Sequence, residues 1–224
     1  KQNPGNLRVE YKKGLALLLG RKNDEAIGQF KIVLEKDPSF ALAYEGLGRA
    51  FFQKKDYGEA ELNFQKALKH NPTLWKSCNF LGNLYDLQRK FETAVRAYKS
   101  ALKIKPDNGL LYNNLGVSYT MAGDFKKAVR SFKKAIDLKY NRTKVYNNLG
   151  IAYANMEQYS EALHAFKQGS GIAQAYNNLG CIYLKNRMFE ESIHCFEEAI
   201  KVEPNFYTTA NNNLKKAKSA KGQL

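Results

Sequence analysis

Apolar and small positions recur along this chain with a helical rhythm. Tyr44, Leu47, Gly48 and Phe51 fall at i, i+3, i+4 and i+7, one face of a helix. The same set returns as Cys78-Leu81-Gly82-Tyr85, Tyr112-Leu115-Gly116-Tyr119, Tyr146-Leu149-Gly150-Tyr153 and Tyr176-Leu179-Gly180-Tyr183. A second set follows in each unit at i, i+4 and i+7: Ala60/Phe64/Ala67, Ala94/Tyr98/Ala101, Ala128/Phe132/Ala135 and Ala162/Phe166/Gly169, with Ala26/Phe30/Val33 before them and Ser192/Phe196/Ala199 after. Turn and cap signals such as Lys55-Asp56-Tyr57 and Gly123-Asp124-Phe125 separate the two sets. Asp37-Pro38, Asn71-Pro72, Lys105-Pro106 or Glu203-Pro204 closes the second. Proline stops a helix there, because it lacks an N–H and restricts its predecessor. Each unit is predicted to be an antiparallel helix pair.

The glycines at 14, 48, 82, 116 and 150 stand 34 residues apart, and Gly180 follows after only 30. A fixed period of this length marks stacked repeats, none of which buries its apolar face alone. Gly116 is expected to face Ala128 so that the two backbones approach closely, and the Tyr and Phe positions are expected to fill the space between units. The short step predicts that four residues, about one helical turn, are missing from the end of the second helix of the fifth unit. Gly169 and Gly171 mark the cut. A departure in superhelical rotation is expected at 169–175, with the first five units forming one groove and the sixth a re-aimed surface. Pro4-Gly5 predicts a loose N-terminus. The segment from Phe206 to about Ala220 predicts a lone capping helix with a polar outer face (Asn211, Asn212, Asn213, Lys215, Lys216, Lys218), and the final Lys221-Gly222-Gln223-Leu224 is expected to fray.

The recurring motif, aromatic-x2-Leu-Gly-x2-Tyr, then Ala-x3-Phe-x2-Ala, then Pro, resembles the tetratricopeptide repeat over nearly the whole chain. The resemblance implies an all-α fold: a right-handed superhelical α-solenoid of six helix pairs in a single domain over 1–224. Its units are 7–40, 41–74, 75–108, 109–142, 143–172 (shortened) and 173–206, with a capping helix at about 207–220. The first unit departs from the motif at Glu10, Lys13 and Leu17, and the fourth has Tyr140 in place of proline. The stretch from Phe166 to Asn213, with its shortened unit, Ala173-Gln174-Ala175-Tyr176-Asn177-Asn178-Leu179-Gly180, Pro204-Asn205-Phe206-Tyr207 and an Asn-rich cap, resembles bacterial repeat lipoproteins of tight-adherence (Flp) pilus assembly. The lipobox cysteine that would anchor such a protein does not occur in this sequence.

Composition adds a polarity. The net charge is +15, and residues 75–142 hold 14 Lys and Arg against 5 Asp and Glu. Much of the excess lies on second helices: Arg96, Lys99 and Lys103, then Lys126, Lys127, Arg130, Lys133 and Lys134. The fold places second helices on the convex side, so this face is either a solvated surface or one that lies on an anionic membrane or other polyanion. Glu190, Glu191, Glu197 and Glu198 give the sixth unit the opposite sign. Nucleic acid is not the expected partner, because the aromatics occupy core positions instead of a stacking platform. No apolar run is long enough to cross a membrane, and no signal peptide is evident. The chain begins at Lys1 and reads as an excised or processed fragment, so the expected location is a bacterial cytoplasm or the periplasm and envelope, with any signal or anchor outside this chain. Three cysteines without a pairing pattern support no disulfide framework, and Cys78 reads as core.

The best candidate site is a series of asparagines. Asn113-Asn114, Asn147-Asn148 and Asn177-Asn178 precede Leu-Gly in three successive units, with Asn79 in the first slot and Asn83 a turn beyond it. Asparagine is a poor helix former, so its repeated use inside helices needs a reason. Its amide offers donors and an acceptor that match the backbone of an extended peptide. The family resemblance implies that first helices line a concave groove, and some of its members hold peptides with such ladders. Adjacent residues on a helix point about 100° apart, so one of each pair is free to bond a neighbouring helix instead. A carboxylate clamp is disfavoured, because Asn113, Asn114, Asn147, Val117 and Ile151 hold its basic slots. His70, His164 and His194 have no metal-ligand spacing, His194 and Cys195 point apart, and no phosphate loop or nucleophile elbow occurs. Gly169-Ser170-Gly171 is too short for one. The expectation is a non-catalytic scaffold, without cofactor, that binds a protein or peptide segment in its concave groove, within bacterial pilus or secretion assembly. The alternatives are an adaptor for a membrane or polyanion through the basic face, and the regulatory segment of a larger enzyme.

Overall fold

The computed structural model describes residues 4–203 and 207–222. These form thirteen α-helices and no strand. The first helix of each repeat is α1 (Pro4–Leu19), α3 (Ala41–Gln53), α5 (Trp75–Leu87), α7 (Gly109–Met121), α9 (Arg142–Ala154) or α11 (Ile172–Lys185). Their partners are α2 (Asn23–Lys36), α4 (Tyr57–His70), α6 (Phe91–Ile104), α8 (Phe125–Asp137), α10 (Tyr159–Ser170) and α12 (Phe189–Val202), and α13 (Tyr207–Lys221) ends the series. The helices group into two compact bodies, Lys1–Asp107 and Asn108–Leu224. The fold is an all-α solenoid of stacked helix pairs, as the periodicity requires. Pro4 and Gly5 lie inside α1, which corrects the expectation of a loose start: Pro is tolerated in a first helical turn, where its missing N–H has no partner to lose. The proline stop at Pro204, the Phe206 start of the cap and the fraying at Gln223-Leu224 fall outside the described residues.

Each pair is held by one ring. Phe30, Phe64, Phe132, Phe166, Phe196 and the equivalent Tyr98 are fully buried, each contributing about 1.5–3 kcal/mol by its burial. The motif glycine makes room for that ring. A Cβ at Gly116 would stand 2.6 Å from Phe132 Cε1, and one at Gly150 would stand 2.5 Å from Phe166 Cε1. Gly116 therefore faces Phe132, not Ala128. The close approach is between a backbone and an aromatic edge.

Two kinds of joint link the helices. Inside each pair the turn is closed by one residue in the left-handed region: Arg21, Lys55, Arg89, Gly123, Glu157 and Arg187, with φ between 58° and 81°. Between pairs the second helix exits through an extended residue before proline, as at Asp37 (φ −141°) and Asn71 (φ −143°). Where Tyr140 replaces proline, Lys139 turns left-handed (φ 56°) and Tyr140 N–H donates to Ala135 O at 3.1 Å. The missing proline is thus replaced by the closure used inside the pairs.

The short joint differs from its expectation. α8 has 13 residues and α10 has 12, while the connection shrinks from residues 138–141 to Gly171 alone. The deletion takes one residue from the helix and three from the linker. Gly171 adopts φ 83° and ψ 170°, a conformation open in practice only to glycine. Gly169 lets the end of α10 press on α9, because a Cβ there would lie 2.8 Å from Asn147 Oδ1 and 3.0 Å from Thr143 O.

Candidate functional site

Several first helices touch the next one along the chain. In the C-terminal body α7 contacts α9 and α11 contacts α13. Second helices stand apart, leaving grooves of ≈ 610 Å³ between α8 and α10 and ≈ 580 Å³ between α10 and α12. The first helices therefore form the inner side of this body. All six of its asparagine candidates lie on that side.

The two asparagine columns do different work. Asn113 is 1% exposed. Its Oδ1 accepts from Asn148 Nδ2 of the next first helix at 3.0 Å, and its own amide donates to Asn114 Oδ1 at 3.3 Å. The amides thus run in one direction, Asn148 to Asn113 to Asn114, and no protein donor among the described residues reaches Asn148 Oδ1. Asn177 is buried in the same way, and its Oδ1 accepts from Asn213 of α13 at 2.9 Å. Asn213 therefore belongs to the interface with α11 and not to the polar outer face of the cap. The buried column ties first helix to first helix, while Asn114, Asn148 and Asn178 remain half-buried at the surface.

The ladder breaks at the short joint. Asn147 corresponds to Asn113, and its expected partner on the next first helix is Asn178. Asn147 Oδ1 instead accepts from Ser170 Oγ of α10 at 3.2 Å, and Asn178 Oδ1 accepts from Gln174 Nε2 at 2.7 Å. No comparable helix contact joins α9 to α11. The inner side of this body therefore divides into an α7/α9 half and an α11/α13 half.

The N-terminal body carries the remaining candidates separately. Asn79 is buried, and Asn83 accepts from the Tyr98 hydroxyl at 2.6 Å. Asp86 Oδ2 lies 2.9 Å from the same hydroxyl, and burial followed by the Asp86 charge pushes that phenol well above its ordinary range. In the slot equivalent to Asn79, Glu45 is buried and accepts from Ser77 Oγ at 2.9 Å. A carboxylate in an aligned interior slot was the sequence signal for this tie.

An apolar pocket adjoins the α7/α9 amides. Val117, Thr120, Met121, Phe132, Asn148 and Ile151 line ≈ 150 Å³. Met121 is 53% and Ile151 42% exposed. Sequence reasoning noted Val117 and Ile151 only as residues unfit for a clamp. Their shared orientation with Met121, a turn further on, was the available signal.

None of the three cysteine thiols is shifted toward the thiolate. All three are free thiols, with Cys78 and Cys195 buried. Burial raises each, and with Glu191 and Glu198 nearby Cys195 is pushed up to about 11. No three His, Cys, Asp or Glu among the described residues are grouped to hold a metal, and no described helix is long and apolar enough to cross a membrane.

Comparison with protein families matches the tetratricopeptide repeat at 11–74, 109–142, 142–169 and 173–206, and the TPR repeat at 82–123. A comparison with curated proteins finds no match. Among solved structures, MamA 41-end from Desulfovibrio magneticus RS-1 is 18% identical, covers 75% of this chain and 96% of its own, and superposes with a TM-score of 0.68. YrrB, described as a TPR protein with an unusual peptide-binding site, is 23% identical over 83% of this chain and 97% of its own, with a TM-score of 0.64. The APC/C hetero-tetramer Cut9-Hcn1 is 24% identical over 93% of this chain and 42% of the matched chain, with a TM-score of 0.66. At these identities the likeness is one of fold.

Proposed function

Because the chain belongs to the tetratricopeptide-repeat family, a family of protein-interaction scaffolds, we propose that it is a non-catalytic scaffold that binds an extended protein segment on the inner side of its C-terminal body, across α7 and α9. One observation carries the reading. Buried Asn113 fixes Asn148 and Asn114 at the surface, with an open amide acceptor on Asn148, beside an apolar pocket rimmed by exposed Met121 and Ile151. An amide pairs with peptide backbone without reading side chains, and the pocket takes one aliphatic side chain. Asn178 offers an unpaired amide nitrogen among the described residues in the α11/α13 half. The peptide-binding site named for the structurally similar YrrB agrees with this class of partner.

Asn113 serves this site as a positioning residue, not as a direct contact, whereas Asn147 bonds Ser170 of α10, Asn177 belongs to the α11/α13 half, and Asn79 and Asn83 belong to the other body. The tail's likeness to repeat lipoproteins of tight-adherence pilus assembly makes bacterial envelope machinery the place to seek the natural segment. Peptides selected on the intact chain test the reading. Asn148→Ala should weaken them about fivefold, since one hydrogen bond contributes about 1 kcal/mol, and Asn114→Ala beside it should weaken them as well. Met121→Arg should abolish binding. Selected peptides indifferent to all three substitutions would overturn it.

A further inference from the structure

The outer side of the C-terminal body carries a second, chemically different surface. Between α8 and α10 a groove of ≈ 610 Å³ has an apolar floor of Tyr146, Leu149 and Tyr153, with Ile136 and Ala165 on its walls. Lys126, Arg130, Lys133 and Asp137 follow one another along α8 at i, i+4, i+7 and i+11, which is one edge of a helix. Lys133 and Asp137 face this groove, and Lys126 lines the adjoining hollow with Met156. All four are exposed, and among the described residues none of the three cations lies within ion-pair distance of a carboxylate. The nearest cation on the other edge, Lys127, is paired with Asp124 at 2.5 Å. On the α10 wall stand Ser160, Glu161 and His164. The groove is thus cationic along most of the α8 edge, with Asp137 at the C-terminal end of that edge and Glu161 in the first turn of the α10 wall.

We propose that this groove docks an amphipathic helix of a protein partner, with apolar residues at i, i+3, i+4 and i+7 on the floor and acidic residues along the α8 edge. The neighbouring groove between α10 and α12 has a similar floor, Tyr176, Leu179 and Tyr183, but is rimmed by Glu190 and Glu191. Charge therefore singles out the α8/α10 groove for an acidic helix. A second copy of this chain fits less well, because the acidic helix it would offer, α12, already engages the cap: Glu197 pairs with Lys218 at 3.2 Å and Glu190 pairs with Lys221. A bilayer fits less well because the apolar floor is recessed between two helices, where a helix reaches and a flat surface does not.

A displayed library of short helical peptides, selected on the full chain, is the probe. Selection is counter-screened on Ser160→Trp, an exposed position outside the core that rims both this groove and the α10/α12 groove, and the charge reversal on α8 then separates the two. The expected outcome is enrichment of acidic amphipathic sequences that lose affinity on Ser160→Trp. They should also lose more than about tenfold on Lys126→Glu/Arg130→Glu/Lys133→Glu, with both variants retaining the wild-type circular dichroism. Three results would overturn the proposal: enriched sequences without acidic bias, acidic sequences that bind Ser160→Trp unchanged, or failure of the library to yield any groove-dependent binder. Binding to phosphatidylserine vesicles that is lost with the charge reversal but kept with Ser160→Trp would also overturn it, in favour of a membrane. Concentration-dependent self-association lost in both variants would do so in favour of a second copy.

Discussion

Substituting Gly48 with alanine tests the packing rule that makes this a stack of helix pairs. An added Cβ would lie 2.7 Å from both Cδ1 and Cε1 of Phe64 and 3.0 Å from its Cγ. Carbon atoms pack best at about 3.5–4.0 Å, so the ring must retreat by about 1 Å. It has little room: Phe64 is fully buried and stacks on Phe80 with centroids 5.1 Å apart and planes 6° apart. Overpacking of this kind costs about 1–3 kcal/mol, partly offset by the ~1 kcal/mol that alanine gains over glycine inside a helix. Gly28 lies in the same body, in α2, with nothing within 4 Å of its would-be Cβ. Gly28→Ala should therefore show only the gain. Urea unfolding of the two variants should separate them by about 1–3 kcal/mol, with Gly28→Ala above wild type and unchanged m values. Adding Phe64→Leu to Gly48→Ala should recover part of the loss through the coupling of the two sites. A Gly48→Ala protein as stable as Gly28→Ala would refute the reasoning.

Other outcomes follow from the same geometry. Gly171→Ala has free space but an unfavourable backbone (φ 83°, ψ 170°), so it should lose about 1–3 kcal/mol in a urea titration. Asn113→Ala removes the buried acceptor of Asn148 and should lower stability by about 1–3 kcal/mol, read as a lower urea midpoint. Iodoacetamide mapping should label exposed Cys181 first. The Cys195 thiol, held protonated by burial up to about 11, should react at a rate that still rises through pH 9–11, where an ordinary thiol of pKa near 8.5 has levelled off.

The fold was legible because its determinants are periodic. Glycine, aromatic ring and proline recur at fixed spacing, and each has one local consequence. The misreadings arose where a residue's partner lies outside the pattern. Gly116 was paired with Ala128 by register along the helices, but the long Phe132 side chain reaches the space first. The short step showed that four residues are missing, but not where they come from: a helix keeps its hydrogen bonds at the expense of a linker as long as glycine supplies φ 83°. The asparagine columns could not be told apart, since adjacent positions share a composition and differ only by 100° of rotation. Once the helices pack, one column becomes interior. The partners of the acidic residues of α12, Lys218 and Lys221, were not legible because they come from a helix whose placement the sequence does not state.

The account's central claim is that an extended segment is held on the inner side of the C-terminal body by α7 and α9. Amide hydrogen exchange of the full chain, with and without a peptide selected on it, tests this most directly. The account predicts that protection concentrates on α7 and α9 and disappears in the Asn114→Ala/Asn148→Ala protein. Protection confined to the outer helices α8 and α10, or protection on α7 and α9 unaffected by those substitutions, would contradict it.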